Sequence, residues 1–171
     1  MSVLRDILQR VERYRDGMES GSLIRGVLES REGEIMELQQ RQLLEGKSSS
    51  GEDLRPFYSE DLKPGGYFWS VETAGRYAAW KGSLSYPYEV TRENPDAPNL
   101  YINGRFFDEL EIRFGSDSMT IAGGTMYAAG IVAKYGLSNF GLSDEKWEVF
   151  MTERGGLDAI VWEIQNILFY E

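Results

Sequence analysis

The sequence predicts an α+β domain in which N-terminal helices and a C-terminal helix pack on a small antiparallel β-sheet. Three observations predict it. Apolar residues recur at helical spacing over residues 1–46 and again from Ser143 onward. Between them, Leu110, Ile112 and Phe114 alternate with Glu109, Glu111 and Arg113, the pattern of a half-buried strand. After a polar turn, Gly115-Ser-Asp-Ser118, Met119 and Ile121 repeat the alternation. Leu110–Phe114 and Met119–Ala122 therefore read as a hairpin with a loop longer than the tightest type.

The helices follow from spacing and punctuation. Val3, Leu4, Ile7, Leu8 and Val11 make a short amphipathic helix, with Ser2 as N-cap and Gly17 as stop. From about Ser22 a second helix carries Ile24, Leu28, Arg31, Ile35, Leu38 and Gln42 on one stripe, with Val27 beside it and Gly46 as its stop. Gly26 and Gly33 each weaken it by roughly 1 kcal/mol relative to Ala, so a break is expected near Gly33. The stripe is short and polar at two positions, which favours packing on the chain's own sheet over a coiled-coil seam. Ser70 caps a helix from Val71 to Lys81, with Glu72 in its first turn. Met126–Lys134 fits a strand or a helix. Ser143 caps a helix through Thr152, with Glu145 near its start and Trp147 and Phe150 on its apolar side. Gly155-Gly156 ends it. Leu157–Tyr170 is the last helix, with Ile160, Val161, Ile164, Ile167 and Leu168 on one face.

Two long loops remain. Residues 47–66 are punctuated by Ser, Gly, Pro56 and Pro64, and residues 83–98 by Pro87 and Pro95, with Pro98 at the end. The first is expected to be mobile in the free protein and ordered by a neighbouring subunit. Residues 1–46 form an N-terminal helical segment and 47–171 an α+β core. At 171 residues these make one domain overall.

Composition excludes several functions. The net charge is −10, so a phosphate backbone is repelled and specific nucleic-acid recognition is not expected. With no Cys, disulfides and thiolate metal sites are ruled out. With no His, the usual general base, triad member and zinc ligand all go. No stretch approaches the roughly 20 apolar residues that span a bilayer, and Met1-Ser-Val-Leu-Arg-Asp6 does not begin a signal peptide. An acid pair such as Asp108 with Glu111 would need a cleft to act. Charges alternating on the wet face of a strand explain Glu109 and Glu111 without chemistry. Asp53, Glu60 and Asp61 lack the spacing of a calcium loop. Gly123-Gly-Thr125 is too short for a phosphate cradle. The sequence therefore predicts no enzyme, no cofactor and no metal.

Aromatic residues crowd one region: Tyr58, Tyr67, Phe68, Trp69, Tyr77, Trp80, Tyr86 and Tyr88. Either they form a contact surface for a protein or glycan, in which Tyr58, Trp69 and Trp80 are the candidate anchors, or they plug a small core. Charge is also uneven. Residues 1–46 carry seven Arg against nine acids, whereas 136–171 carry one Lys and one Arg against seven. Residues 1–46 of one copy are thus expected to approach residues 143–171 of the next, or another component of the same assembly, guided by Arg5, Arg10 and Arg13.

The segment Leu100-Tyr-Ile-Asn-Gly-Arg-Phe-Phe-Asp-Glu-Leu110 resembles one found in the tail-completion, or head–tail joining, proteins of tailed bacteriophages. Asn103-Gly104 stands where that family has Thr-Gly, Phe106 supplies its apolar residue, and Asp108-Glu109 replaces Asp-Ser. Met119–Ala122 is similar to the family's second strand, Tyr127-Ala128 to its Tyr-Ala pair and Lys134-Tyr-Gly136 to its Gly-ended segment. Phe140-Gly-Leu-Ser-Asp-Glu145, with Ser143 at the helix entry, is similar to the start of its C-terminal helix. Upstream, Glu37–Lys47, Gly51–Ser59 and Tyr77–Lys81 are similar to further family segments. The resemblance spans most of residues 35–145.

It implies a structural protein at the neck of a phage particle, made in the host bacterial cytoplasm and carried in the virion. Its partners would be other neck and tail proteins and copies of itself in a ring. A negative ring lumen would let DNA slide. Two other readings stand beside this one: an acidic adaptor or inhibitor that binds a basic partner, and a carboxylate-dependent hydrolase.

Overall fold

The computed structural model describes residues 3–115, 118–124 and 126–170, except the side chains of Val3, Met126 and Tyr127. Among the described residues, helices and one two-stranded antiparallel sheet give the α+β fold that the sequence predicts.

Helix α1 spans Val3–Glu19 and α2 spans Ser22–Ser30. Gly17 does not stop α1. The chain reverses at Gly21, whose φ of 69° a side chain would strain. Helix α3 spans Glu32–Glu45. The break before it falls near Gly33, as expected, at Arg31. Its guanidinium donates to the Arg154 carbonyl and to Glu34, and lies 5.9 Å from the centre of the Phe150 ring. Gly46 closes α3 at φ 83°, as its sequence position predicts.

Helix α3 is the axle of the molecule. Ile35 and Leu38 meet the hairpin through Ile112 and Ile121, and meet Leu142 and Phe150 beyond it. Leu43 and Leu44 pack with Leu54, Phe106, Phe107, Leu110 and Ala128. Full burial of each such side chain favours the fold by roughly 2 kcal/mol. The strands are β1, Leu110–Phe114, and β2, Met119–Gly123. Ile112 pairs with Ile121 and Phe114 with Met119, so the alternation read from the sequence faces α3 as expected. The tip of the turn, Ser116 and Asp117, lies outside the described residues.

Helix α4, Val71–Gly82, begins with a reciprocal cap between Ser70 and Thr73. One turn of helix, α5, Arg105–Asp108, precedes β1. Met126–Tyr135 is a helix, α6, which settles the ambiguity left by its apolar run. Its alanines favour a helix, and Ala128 and Ile131 turn to the core. Helix α7, Asp144–Thr152, starts at Ser143, whose Oγ accepts from the Lys146 N–H at 3.4 Å. Gly155-Gly156 does more than end α7. Gly155 is the entry to α8, Gly156–Gln165, which continues as a π-helical turn over Asn166–Tyr170.

The loop over residues 47–66 is not the free segment that its composition suggests. Leu54 is 2% exposed, and its N–H donates to the Gly46 carbonyl at 2.8 Å. Asp96, on the second loop, accepts from the Tyr58 N–H at its carbonyl and from the Ser59 N–H at its carboxylate. Asn94 donates to Asp53 at 2.8 Å. The two loops hold each other, which removes the need for a neighbouring subunit to order either one.

Candidate functional site

The motif segment does structural work at Asn103, Gly104, Phe106, Gly136 and Ser143. Asn103 accepts from the Arg105 N–H at 3.3 Å and so starts the α5 turn. Gly104 sits at φ 85°, where Asn103-Gly104 makes the turn possible. Phe106 is 7% exposed in the core, while Asp108 is exposed on the one-turn helix. Gly136 takes φ 79° after α6, and Ser143 is the buried cap of α7. The side chain of Tyr127 lies outside those described. Leu100, at φ 51°, lines an open cleft of about 390 Å³ with Ile102, Arg105, Phe106 and Ile131.

The aromatic region divides between the two readings. Tyr58 is 5% exposed and meets Phe68 and Tyr77 edge-on, with ring centres at 6.0 and 5.1 Å. It is a core residue, not a surface anchor. Burial raises the Tyr58 and Tyr135 hydroxyls well above the usual phenol range, and Tyr77 is raised by the same cause. Trp69 and Trp80 remain exposed. The Lys63 ammonium lies 3.8 Å from the centre of the Trp69 ring. A cleft of about 260 Å³ opens beside Tyr67, Tyr77 and Tyr135, with Asp61 and Lys134 paired at its wall.

Lys81 is a buried cation that sequence reasoning did not single out. It is 2% exposed and donates to the Tyr101 carbonyl. Burial, with some repulsion from Arg92, lowers its pKa to about 7. It lines neither of the two clefts described above. Several of the acids considered for chemistry have basic partners of their own. Glu111 hydrogen-bonds to Arg113 on the wet face of β1. Asp53 pairs with Lys47 at 3.0 Å and Glu60 with Arg55 at 2.5 Å. Among the described residues no cluster of acids converges as a metal site would need.

The terminal helices hold the most unusual surface. On α1, Leu4, Ile7, Leu8, Val11 and Met18 are 65, 51, 54, 50 and 41% exposed. On α8 and its π turn, Leu157, Val161, Trp162, Phe169 and Tyr170 are 49, 43, 62, 69 and 81% exposed. The inner face of α8 is apolar too, with Ile160, Ile164, Ile167 and Leu168 half-buried. Val161 therefore leaves the stripe assigned to it and joins the outer face. Apolar residues thus lie on both the inner and the outer side of α8, with Asp158, Glu163 and Gln165 between them.

The charged residues expected to bridge copies are used differently. Residues 1–46 and 143–171 meet within one chain, where α2 packs on α8 and α1 on the π turn. Arg154 pairs with Glu37 at 2.8 Å. Arg10 is tucked against the body and bonded to Asp6 at 3.1 Å, whereas Arg5 and Arg13 stand exposed on α1. The apolar outer faces of these helices carried a legible sign, their helical spacing, but spacing does not say whether the chain itself covers them. Comparison with family models, with curated proteins and with solved structures gives no match to this chain.

Proposed function

We propose that the protein is a structural subunit of a tailed-phage particle, placed at the junction of head and tail. The observation that carries the assembly role is the apolar outer face of α8, left exposed on a chain whose three cores are complete without it. Exposed apolar surface of this extent marks a contact with another protein. The ordered motifs from Glu37 to Glu145 supply the phage context, and their residues here make turns, caps and core rather than chemistry. The acidic surface suits a ring through which DNA slides.

The test is disruption of the gene in a phage that carries it, followed by microscopy of the lysate. Filled heads and complete but unattached tails are the expected products, with restoration on complementation. Normal joined particles that lack the protein by mass spectrometry would overturn the reading.

A further inference from the structure

We propose that the cleft between α6 and the segment leading into α5 binds a small carboxylic acid with an apolar body, its carboxylate held by Arg105. Such a site is independent of the assembly role. Leu100, Ile102 and Phe106 line the cleft from one stretch of chain, and Gly130 and Ile131 line it from α6. Its volume of about 390 Å³ lies in the range of small-molecule sites.

Three observations point to a ligand and to its chemistry. The first is Arg105. It is exposed and lines the cleft, and among the described residues its guanidinium has neither an ion pair nor a hydrogen bond. Beside it, the Asn103 Oδ1 accepts from the Arg105 N–H at 3.3 Å, which leaves the Asn103 Nδ2 as a donor. A planar guanidinium fork with one amide donor matches the two oxygens of a carboxylate. A phosphate would bring a second charge, and among the described residues no second cation lines the cleft. No acid among them lines it to repel an anion. The second is Gly130. It lies inside α6, where a glycine weakens the helix. Packing does not require it, because a Cβ there would meet nothing within 4 Å. Gly130 lines the cleft, so the missing side chain keeps that space open. The third is Leu100. Its φ of 51° is left-handed, a conformation that side chains disfavour. The turn is fixed by the fully buried Asn99, whose Oδ1 accepts from the Tyr101 N–H at 3.3 Å. Strain of this kind persists where the surroundings impose it and collects at binding sites. Here it falls on a residue of the cleft itself. The chain as a whole is acidic, so the local guanidinium alone draws the anion, and the affinity for a six-carbon acid is modest, about 1 mM.

The test titrates the full chain with hexanoate at neutral pH and follows the backbone amide shifts by NMR. Hexan-1-ol supplies the same body without the charge, and acetate the charge without the body. Hexanoate should shift residues 100–106 and 130–131 saturably, with hexanol at least tenfold weaker and acetate without effect. Arg105→Gln should bring hexanoate down to the hexanol level. Gly130→Leu should abolish binding of both, with a urea midpoint no lower than that of wild type, because helix propensity rises and the position is open. Arg105 is exposed, so its variant folds even where Gly130→Leu does not, and it then carries the decision. Equal binding of hexanoate and hexanol would reduce the cleft to an apolar hollow and overturn the proposal. So would shifts centred elsewhere in the chain, undiminished hexanoate binding by Arg105→Gln, or no saturation by about 20 mM. A short peptide ending in Leu that binds more tightly than hexanoate, and loses that gain when its C-terminus is amidated, would assign the carboxylate to a chain terminus and overturn the small-acid reading.

Discussion

Gln42 and Ser143 are joined by a buried clasp across the molecule. The Gln42 Oε1 accepts from the Ser143 N–H at 2.8 Å, and its Nε2 donates to the Gly141 carbonyl at 2.8 Å. One turn earlier, Gln39 repeats the arrangement with the Gly141 N–H and the Asn139 carbonyl, at 2.9 and 3.0 Å. Both glutamines are fully buried. Together they pin the entry of α7 to α3 and satisfy backbone groups that form no ladder of their own. Gln42→Leu leaves a buried N–H and a buried carbonyl without partners. The expected loss is about 2–4 kcal/mol, read as a lower urea midpoint at unchanged slope. Gln9→Leu on the exposed side of α1 should stay within about 0.5 kcal/mol.

Lys81 makes stability depend on pH. Its folded pKa of about 7 lies below the unfolded value of 10.5, because burial disfavours the charged form. Between these values the unfolded chain binds more protons, so stability rises with pH through that window and the burial penalty is full below pH 7. The slope should be up to ~1 kcal/mol per pH unit between pH 7 and 9. Tyr58, Tyr77 and Tyr135 hold their protons longer when folded and lower stability only above pH 10. In Lys81→Met the slope between pH 7 and 9 should flatten. Parallel slopes for wild type and variant would show that Lys81 keeps an ordinary pKa.

Gly66 is required by close approach, and its neighbour is not. A Cβ on Gly66 would sit 2.2 Å from the Asp61 backbone carbon, whereas one on Gly65 meets nothing within 4 Å. Gly66→Ala must open the turn that sets Phe68 beneath Tyr58. It should cost about 1–3 kcal/mol, and Gly65→Ala should be near neutral. Urea unfolding of the pair decides it. Near-ultraviolet circular dichroism should change only for Gly66→Ala, because that turn orders the aromatic cluster.

Asp96 ties the two loops together. Its carbonyl accepts from the Tyr58 N–H at 3.0 Å, and its carboxylate accepts from the Ser59 N–H and hydroxyl. Limited proteolysis of wild type should spare residues 55–63. Asp96→Ala removes two of the three bonds and should create new cleavage there, with the hairpin still protected. Equal cutting of wild type and variant would return the loop to the mobile state that its composition suggests.

Spacing alone determined much of this fold. The hairpin register, the Ser70 and Ser143 caps, the Gly46 stop and the apolar runs of α1, α3 and α8 all depend on residues a few positions apart, where backbone geometry dictates which side chains share a face. Other features rest on partners distant in sequence, and only the tertiary structure decided them. Gln39 and Asn139 are 100 residues apart, and nothing local marks a glutamine as a clasp. The Arg31 guanidinium reaches the Arg154 carbonyl, 123 residues on, and nothing local marks that contact. Loop composition pointed to mobility because Ser, Gly and Pro exclude regular structure, but hydrogen bonds between two irregular loops order them as well as a ladder would. The site divides in the same way. Apolar periodicity revealed that α1 and α8 have faces to bury, while the packing of α2 on α8 determined which face is already covered and which is left outside. That difference is one of burial, and burial belongs to the folded chain.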